Sequence, residues 1–302
     1  MSLDVFLKLI EVIFPVFFII GIGYLFGKKN PNFNNGIITS FAGKIGVPSL
    51  LFYSLAASST LNFHTFIKFG FITFLLVGCF AIIGIIILKI LRRDIVSELS
   101  PIILPNTANL GLPICLFAYG EKGFSIASSI AVIVMFLHFT LGIFIASKKF
   151  SLKPLLESIP MYILLLSSLM LYYEIEAPIF LVNTTMLIGY AAIFLILTSL
   201  GFTLSGLKTK NFKKNLVISL TRLTIGPIIA IIIIKYFKLT GYEAGVLLIC
   251  ASMPSAILNF LLAKMYSTKE NSDNIASVIV ITTTLGFFTI PIIVFLSLKF
   301  FN

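Results

Sequence analysis

Leu104-Pro105-Asn106-Thr107-Ala108-Asn109-Leu110-Gly111-Leu112-Pro113 interrupts an apolar segment, residues 95–118, that is otherwise long enough to cross a bilayer. Two prolines, a glycine, two asparagines and a threonine in ten residues remove backbone hydrogen bonds and offer polar side chains in their place. In hydrocarbon an unpaired N–H or C=O is costly, so such a break is tolerated only beside protein or water. It exposes helix ends with partial charges and is a place to hold a polar solute. The rest of the chain reads as scaffolding for this break.

The composition agrees. The chain has 302 residues, 59% hydrophobic and only 11% charged, with a mean hydropathy of +1.11. Soluble domains carry about 25% charged residues, so a chain this apolar reads as an integral membrane protein with the lipid bilayer as its solvent. Its 22 Lys and Arg exceed its 11 Asp and Glu. The basic residues nevertheless lie between apolar spans, as the positive-inside rule expects, and no nucleic-acid partner is implied. Cys79, Cys115 and Cys250 fall inside spans without metal-ligand spacing and read as small buried hydrophobes. No metal or cofactor is expected. The first apolar run, 5–27, is too long for a signal-peptide core and has no small-residue cleavage site after it, so it is read as a mature span.

Segments of about 20 apolar residues, bounded by charges and turn signals, fall near 5–27, 36–58, 65–88, 95–118, 124–147, 154–173, 179–204, 214–237, 241–264 and 274–300. About ten transmembrane helices in an all-α membrane domain covering 1–302 are expected. The odd-numbered connections, from Lys28 and Lys29 to Lys264 and Lys269, carry fourteen Lys and Arg. The opposite side carries six: Lys8, Lys68, Lys122, Lys235, Lys238 and Lys299. The richer side is therefore expected in the cytoplasm, with both termini outside a multi-pass protein of the cell membrane.

An internal repeat is also legible. Ile126-Ala127-Ser128-Ser129-Ile130 opens the fifth span and Ile275-Ala276-Ser277-Val278-Ile279 the tenth, 149 positions later, and the same offset carries Pro105 onto Pro254. Five spans per half is an odd number, so the second repeat, about 151–302, sits upside down relative to the first, about 1–150. Inverted repeats with broken helices at matching positions are the architecture of many secondary transporters.

The second break is Cys250-Ala251-Ser252-Met253-Pro254-Ser255-Ala256-Ile257-Leu258-Asn259. Ser252 is a candidate cap and Pro254 a candidate first-turn residue for its second half-helix, as Asn109 or Gly111 and Pro113 are in span four. If the two broken helices cross at mid-membrane, two half-helix N-termini converge on one cavity, which favours an anion. Asn106, Thr107, Asn109, Ser255 and Asn259 would supply directional hydrogen bonds.

Pro105-Asn106-Thr107 through Gly111-Leu112-Pro113, with the Met253-Pro254 break, resembles the auxin efflux carrier family, over the whole chain length. That resemblance implies crossing broken helices in an inverted-repeat fold, small organic anions as substrates, and Asn106 together with the two crossing helices lining the substrate site. It also implies a scaffold of spans one, two, six and seven that can dimerise. Gly21, Gly23 and Gly27 form a small-residue face on span one suited to close helix packing.

Two charges lie inside spans: Lys44 in span two and Arg222 in span eight. Each is a functional candidate by position, but snorkelling of a long side chain to the headgroups or plain helix packing is the favoured reading for both, with Arg222 the stronger functional candidate because Pro227 follows on the same helix. No carboxylate falls convincingly at mid-membrane, which argues against sodium/proton exchange. His138 is the one deep imidazole and a candidate proton carrier. The coupling ion, H⁺ or Na⁺, stays open. An intramembrane enzyme would need a nucleophile with a base, or a metal cluster, and no such set is legible. The expected function is a carrier of a small carboxylate working by alternating access, with an anion channel or a sodium-coupled symporter of the bile-acid type as alternatives.

Overall fold

The computed structural model describes residues 2–56, 61–149, 151 and 153–301; positions 57 and 58, the end of the second predicted span, lie outside the described residues. Every regular element among the described residues is helical. In a bilayer this is the expected answer, because a helix pairs its backbone within one segment.

Helix α1 (Ser2–Lys29) is followed by α2 (Asn35–Phe41), which runs through a π-helical turn, Ala42–Gly46, into α3 (Val47–Ala56). Helix α4 (Phe63–Ile90) begins where Asn62 Oδ1 accepts from the Thr65 N–H at 2.8 Å, the usual N-cap. Helix α5 (Ile95–Ile103) stops at the first break, and the chain resumes through a π-helical turn, Thr107–Gly111, into α6 (Leu112–Leu137). Gly120 divides α6: at φ 62° and ψ −155° it holds a conformation open in practice only to glycine. This is the predicted boundary between spans four and five. A third π-helical turn, His138–Gly142, leads into α7 (Ile143–Ser147).

The second half runs α8 (Lys153–Leu156), α9 (Ile159–Tyr172), α10 (Ile179–Gly206), α11 (Phe212–Tyr236), α12 (Gly241–Ala251), α13 (Ile257–Tyr266) and α14 (Lys269–Phe300). Among the described residues seven helical segments are long and apolar enough to cross a membrane, while α9, α12 and α13 are shorter apolar helices. Length alone therefore gives fewer than the ten spans expected. The 41-residue segment Thr107–Ser147 holds parts of two predicted spans, and α12 and α13 are the halves of another. The 14 residues of α9 reach only about 21 Å as a helix, less than a 30 Å hydrocarbon core.

Helices α1 and α10 touch backbone to backbone. A Cβ added at Gly23 would stand 2.1 Å from the Thr198 carbonyl oxygen, and one at Gly201 would stand 2.0 Å from that of Ile20. The small-residue face expected on span one is thus used inside the chain at Gly23 and at Gly27, which meets Ser205, while Gly21 faces open space. Large apolar residues such as Phe14, Phe18, Ile82, Phe180 and Phe288 are exposed along the outer helices. That belt suits acyl chains.

Candidate functional site

The two breaks meet. Pro105 and Ser255 pair as an isolated antiparallel bridge, in which the Asn106 N–H donates to the Pro254 carbonyl at 2.8 Å and the Ala256 N–H to the Leu104 carbonyl at 3.2 Å. Each break thereby satisfies backbone groups of the other, which permits unwound chain at this depth.

This pairing changes the expected capping. Ser252 ends α12 instead of starting the next half-helix: its hydroxyl donates to the Leu248 carbonyl at 2.7 Å. Pro254 lies in the crossing itself, and α13 starts only at Ile257. In the first break neither Asn109 nor Gly111 is a cap. Helical structure resumes at Thr107, Gly111 is already right-handed helical at φ −62°, and Pro113 sits just inside α6. The orphan amides and carbonyls found partners across the crossing, so side-chain caps were not needed.

The carbonyls at the ends of α5 and α12 face Arg222, which is 0% exposed. Its guanidinium donates to the Ile102 carbonyl at 3.2 Å, to the Met253 carbonyl at 3.0 and 3.1 Å, and to the Ala251 carbonyl. The Phe80 ring lies 4.7 Å from its central carbon. Snorkelling is thereby overturned for Arg222. A cation set against two helix C-termini complements their partial negative charge, and five planar donors suit several carbonyls at once. Lys44, by contrast, is exposed in the π-helical turn between α2 and α3.

A cavity of about 840 Å³ ends at the first break. Pro105, Asn106, Thr107 and Asn109 line it together with His138, and its mouth is bordered by Lys44, Thr39, Thr203, Glu157 and Tyr266. All of its lining residues lie at the break or toward the helix ends that carry the Lys-rich connections. The wall is mainly apolar, with Val134, Met135, Phe139, Ile196, Leu200 and Leu262.

Of the residues singled out from sequence, the cavity brings together Asn106, Thr107, Asn109, His138 and Lys44. Gly111, Pro113, Pro254, Ser255, Asn259 and Arg222 do not line it. Ser255 and Asn259 join the two breaks: Asn259 Nδ2 donates to the Leu104 carbonyl and to Ser255 Oγ, each at 3.1 Å, and the Ser255 N–H donates to Thr282 Oγ1 at 3.3 Å. Asn106 and Asn259 are both 2% exposed and each keeps one unpartnered amide atom, the donor Nδ2 of Asn106 and the acceptor Oδ1 of Asn259, but only Asn106 lines the cavity. Sequence reasoning missed the α10 wall, Ile196, Ser199 and Thr203, since nothing in a plain apolar helix marks the face that borders a cavity. Glu98 is buried but held by Arg93 at 2.7 Å and Lys214 at 3.3 Å, at the Lys-rich end of α5.

Crossed broken helices, an apolar outer belt and a one-sided cavity ending at a polar break define an integral membrane protein built to handle a solute. A family model described as membrane transport protein matches residues 8–158 and again 158–295. The chain belongs to that family, the auxin efflux carriers. It is also similar to an uncharacterized transporter of Methanocaldococcus jannaschii, 27% identical over 301 residues that cover 93% of this chain and 96% of the relative. The protein is a membrane transporter.

Proposed function

We propose that this transporter is a secondary carrier that moves a small organic anion, a carboxylate, across the cytoplasmic membrane by alternating access. The observation that carries the reading is the cavity that reaches from the Lys-rich helix ends to the first break and has no lining residue beyond it. A blind vestibule suits a carrier caught open on one side; a channel would need a path past the crossing. By the positive-inside rule the open side is cytoplasmic and both termini are outside.

The inverted repeat supports the same mechanism. An offset of 149 positions carries Pro105 onto Pro254 and Phe63, where α4 starts, onto Phe212, where α11 starts. In this reading 1–150 and 151–302 form one domain of two related halves, α1, α2, α3, α9 and α10 form the scaffold, and the crossed unit rocks against it. Dimerisation would use scaffold faces other than Gly23 and Gly27.

The test is counterflow in proteoliposomes. Uptake of a labelled mono- or dicarboxylate should saturate and should accelerate when unlabelled substrate is trapped inside. Saturable flux without acceleration, or flux linear in concentration, would replace the carrier with a channel. Repeating the assay with and without sodium, and with and without a pH gradient, assigns the coupling ion.

A further inference from the structure

One stripe of α6 lines the cavity and then runs on past it. Ala131, Met135 and His138 border the cavity at helical steps of four and three. The same steps, taken away from the Lys-rich connections, lead from Ala131 to Ser128, Phe124 and Glu121. Residues so spaced keep to one side of a helix, in a stripe about 100° wide. The inner part of this stripe is open and the outer part is shut, for Phe124 and Ser128 are 0% exposed. Ser128 Oγ nevertheless has no partner, although a hydroxyl buried without a hydrogen bond is costly.

The outer end of the stripe is tied across to α10, where Tyr190 Oη donates to Glu121 Oε1. Gly120, at φ 62°, turns the chain between two differently placed side chains. Tyr119 pairs its hydroxyl with Ser297 Oγ at 2.7 Å inside the crossed unit, and Glu121 reaches the scaffold. Tyr190 is held from the scaffold side. Its ring lies edge-on to that of Tyr53 at 5.7 Å, and a Cβ on neighbouring Gly189 would stand 2.9 Å from Leu50 Cα on α3. Ile196, on the same helix, borders the cavity, and Tyr190 lies six residues, about 9 Å, further out. Other contacts between scaffold and crossed unit join rings, Phe17 with Phe287 at 4.4 Å and Phe63 with Tyr172 at 5.1 Å. Apolar burial is non-directional, whereas a hydrogen bond to a carboxylate is directional and about twice as strong as a neutral one.

We propose that the bond from Tyr190 to Glu121 latches the closed outer half of the transport path, and that Ser128, Phe124 and Glu121 line that half once the bond is broken. The inference rests on the alternating-access reading and adds to it the contact that holds one of the two states. Outward opening parts the scaffold from the crossed unit along this stripe. Tyr190 and Glu121 then exchange their mutual bond for water, and Ser128 Oγ gains the partner it lacks in the closed seam. The latch thus sets how often the outer half opens without forbidding it.

The experiment is thiol labelling of the full chain, with Cys79, Cys115 and Cys250 replaced by alanine and one reporter cysteine added. It needs no substrate. The outer reporter is Ser128→Cys, labelled in whole bacterial cells with a small membrane-impermeant maleimide. The inner reporter is Met135→Cys on the cavity wall, labelled in inside-out membrane vesicles with the same reagent. With the latch intact the inner reporter should label fast and the outer one slowly. Tyr190→Phe removes only the hydroxyl and keeps the ring against Tyr53. It should raise outer labelling about tenfold while inner labelling stays level or falls. Glu121→Ala removes the same bond from the other side, so it should give a similar rise, and the double variant should give no more than either alone.

Unchanged outer labelling in Tyr190→Phe overturns the proposal, because the bond then holds nothing shut. So does a rise in both reporters together, which means that the fold has loosened, or a rise that adds in the double variant. If neither single variant runs as one species on size exclusion, the bond is structural and the latch falls; if one of them folds, that one decides. Counterflow judges the carrier reading separately. Accelerated counterflow with Ser128→Cys unlabelled in every variant leaves the carrier standing and removes this inference alone. Fast labelling of both reporters with the latch intact, together with flux linear in concentration, removes both.

Discussion

The two breaks are near copies in sequence position and differ in what they do. The first places Asn106, Thr107 and Asn109 on the cavity and leaves a buried amide without a partner. The second puts Ala256, Ile257 and Leu258 on the same cavity but turns its polar side chains inward: Ser255 and Asn259 tie it to the first break and to α14, and Asn259 Oδ1 is left without a partner. Both breaks border the one-sided cavity, but only the first puts polar side chains on it. The partner half is then free to specialise in holding the crossing together.

The largest effect should come from the residue that serves both breaks. In Arg222→Met the carbonyls of Ile102, Ala251 and Met253 lose their donor. Each buried carbonyl left unpaired costs about 1–3 kcal/mol, which outweighs the roughly 2.5–3.5 kcal/mol recovered by removing a charge from mid-membrane. A net loss on the order of 3 kcal/mol should appear as a lower apparent melting temperature in detergent. Arg222→Lys should not restore it, because a point ammonium cannot reproduce a planar fork of donors. Wild-type stability in Arg222→Met would mean that the helix ends do not need a shared cation.

The second effect separates the breaks. Asn259→Ala deletes the bonds to the Leu104 carbonyl and to Ser255 Oγ. The Leu104 carbonyl keeps the Ala256 N–H, so the cost is limited to about 1–2 kcal/mol. Thermal stability should fall while the affinity of the folded fraction for a carboxylate stays within about twofold of wild type. Weakened affinity at unchanged stability would place Asn259 at the substrate and make the two breaks functionally alike.

What sequence alone made legible here follows from how strongly each feature is punctuated. Pro105, Pro113 and Pro254 cannot sit silently in a long apolar helix, so the breaks were readable, as was the boundary between residues 118 and 124, within which Gly120 takes a backbone conformation open in practice only to glycine. The shared offset of 149 positions pointed to the breaks as a pair. Their division of labour was not readable, because it depends on which side chains of each break reach the cavity. Arg222 stood out as a charge in a span, but its partners are carbonyls, which every residue has. Sequence therefore left it between a functional site and snorkelling or helix packing, and its bonds make it a packing element, a tie between helix ends. The Ser252 cap failed for a related reason: its alternative, backbone pairing with the other break, has no signature in residue type. The turn at His138–Gly142 carries no proline and was equally silent, although it aligns the imidazole with the cavity.

The smallest change to the fold should come from the residue most exposed to substrate. Asn106 Nδ2 is already unpartnered, so Asn106→Ala removes a buried donor that makes no bond within the protein. Stability should stay within about 0.5 kcal/mol of wild type, or rise slightly. Binding is where the amide acts, and the loss of one hydrogen bond to a buried headgroup is worth about tenfold in affinity. Asn106→Asp keeps the shape but replaces the two donors with a carboxylate, so it should bind an acid more weakly than Asn106→Ala does. Measured together, melting temperature and affinity place Asn106 and Asn259 on opposite diagonals: one variant stable and weak-binding, the other destabilised and tight-binding. If both asparagines move both quantities equally, the crossing acts as a single unit, and the asymmetry drawn from the one-sided cavity is lost.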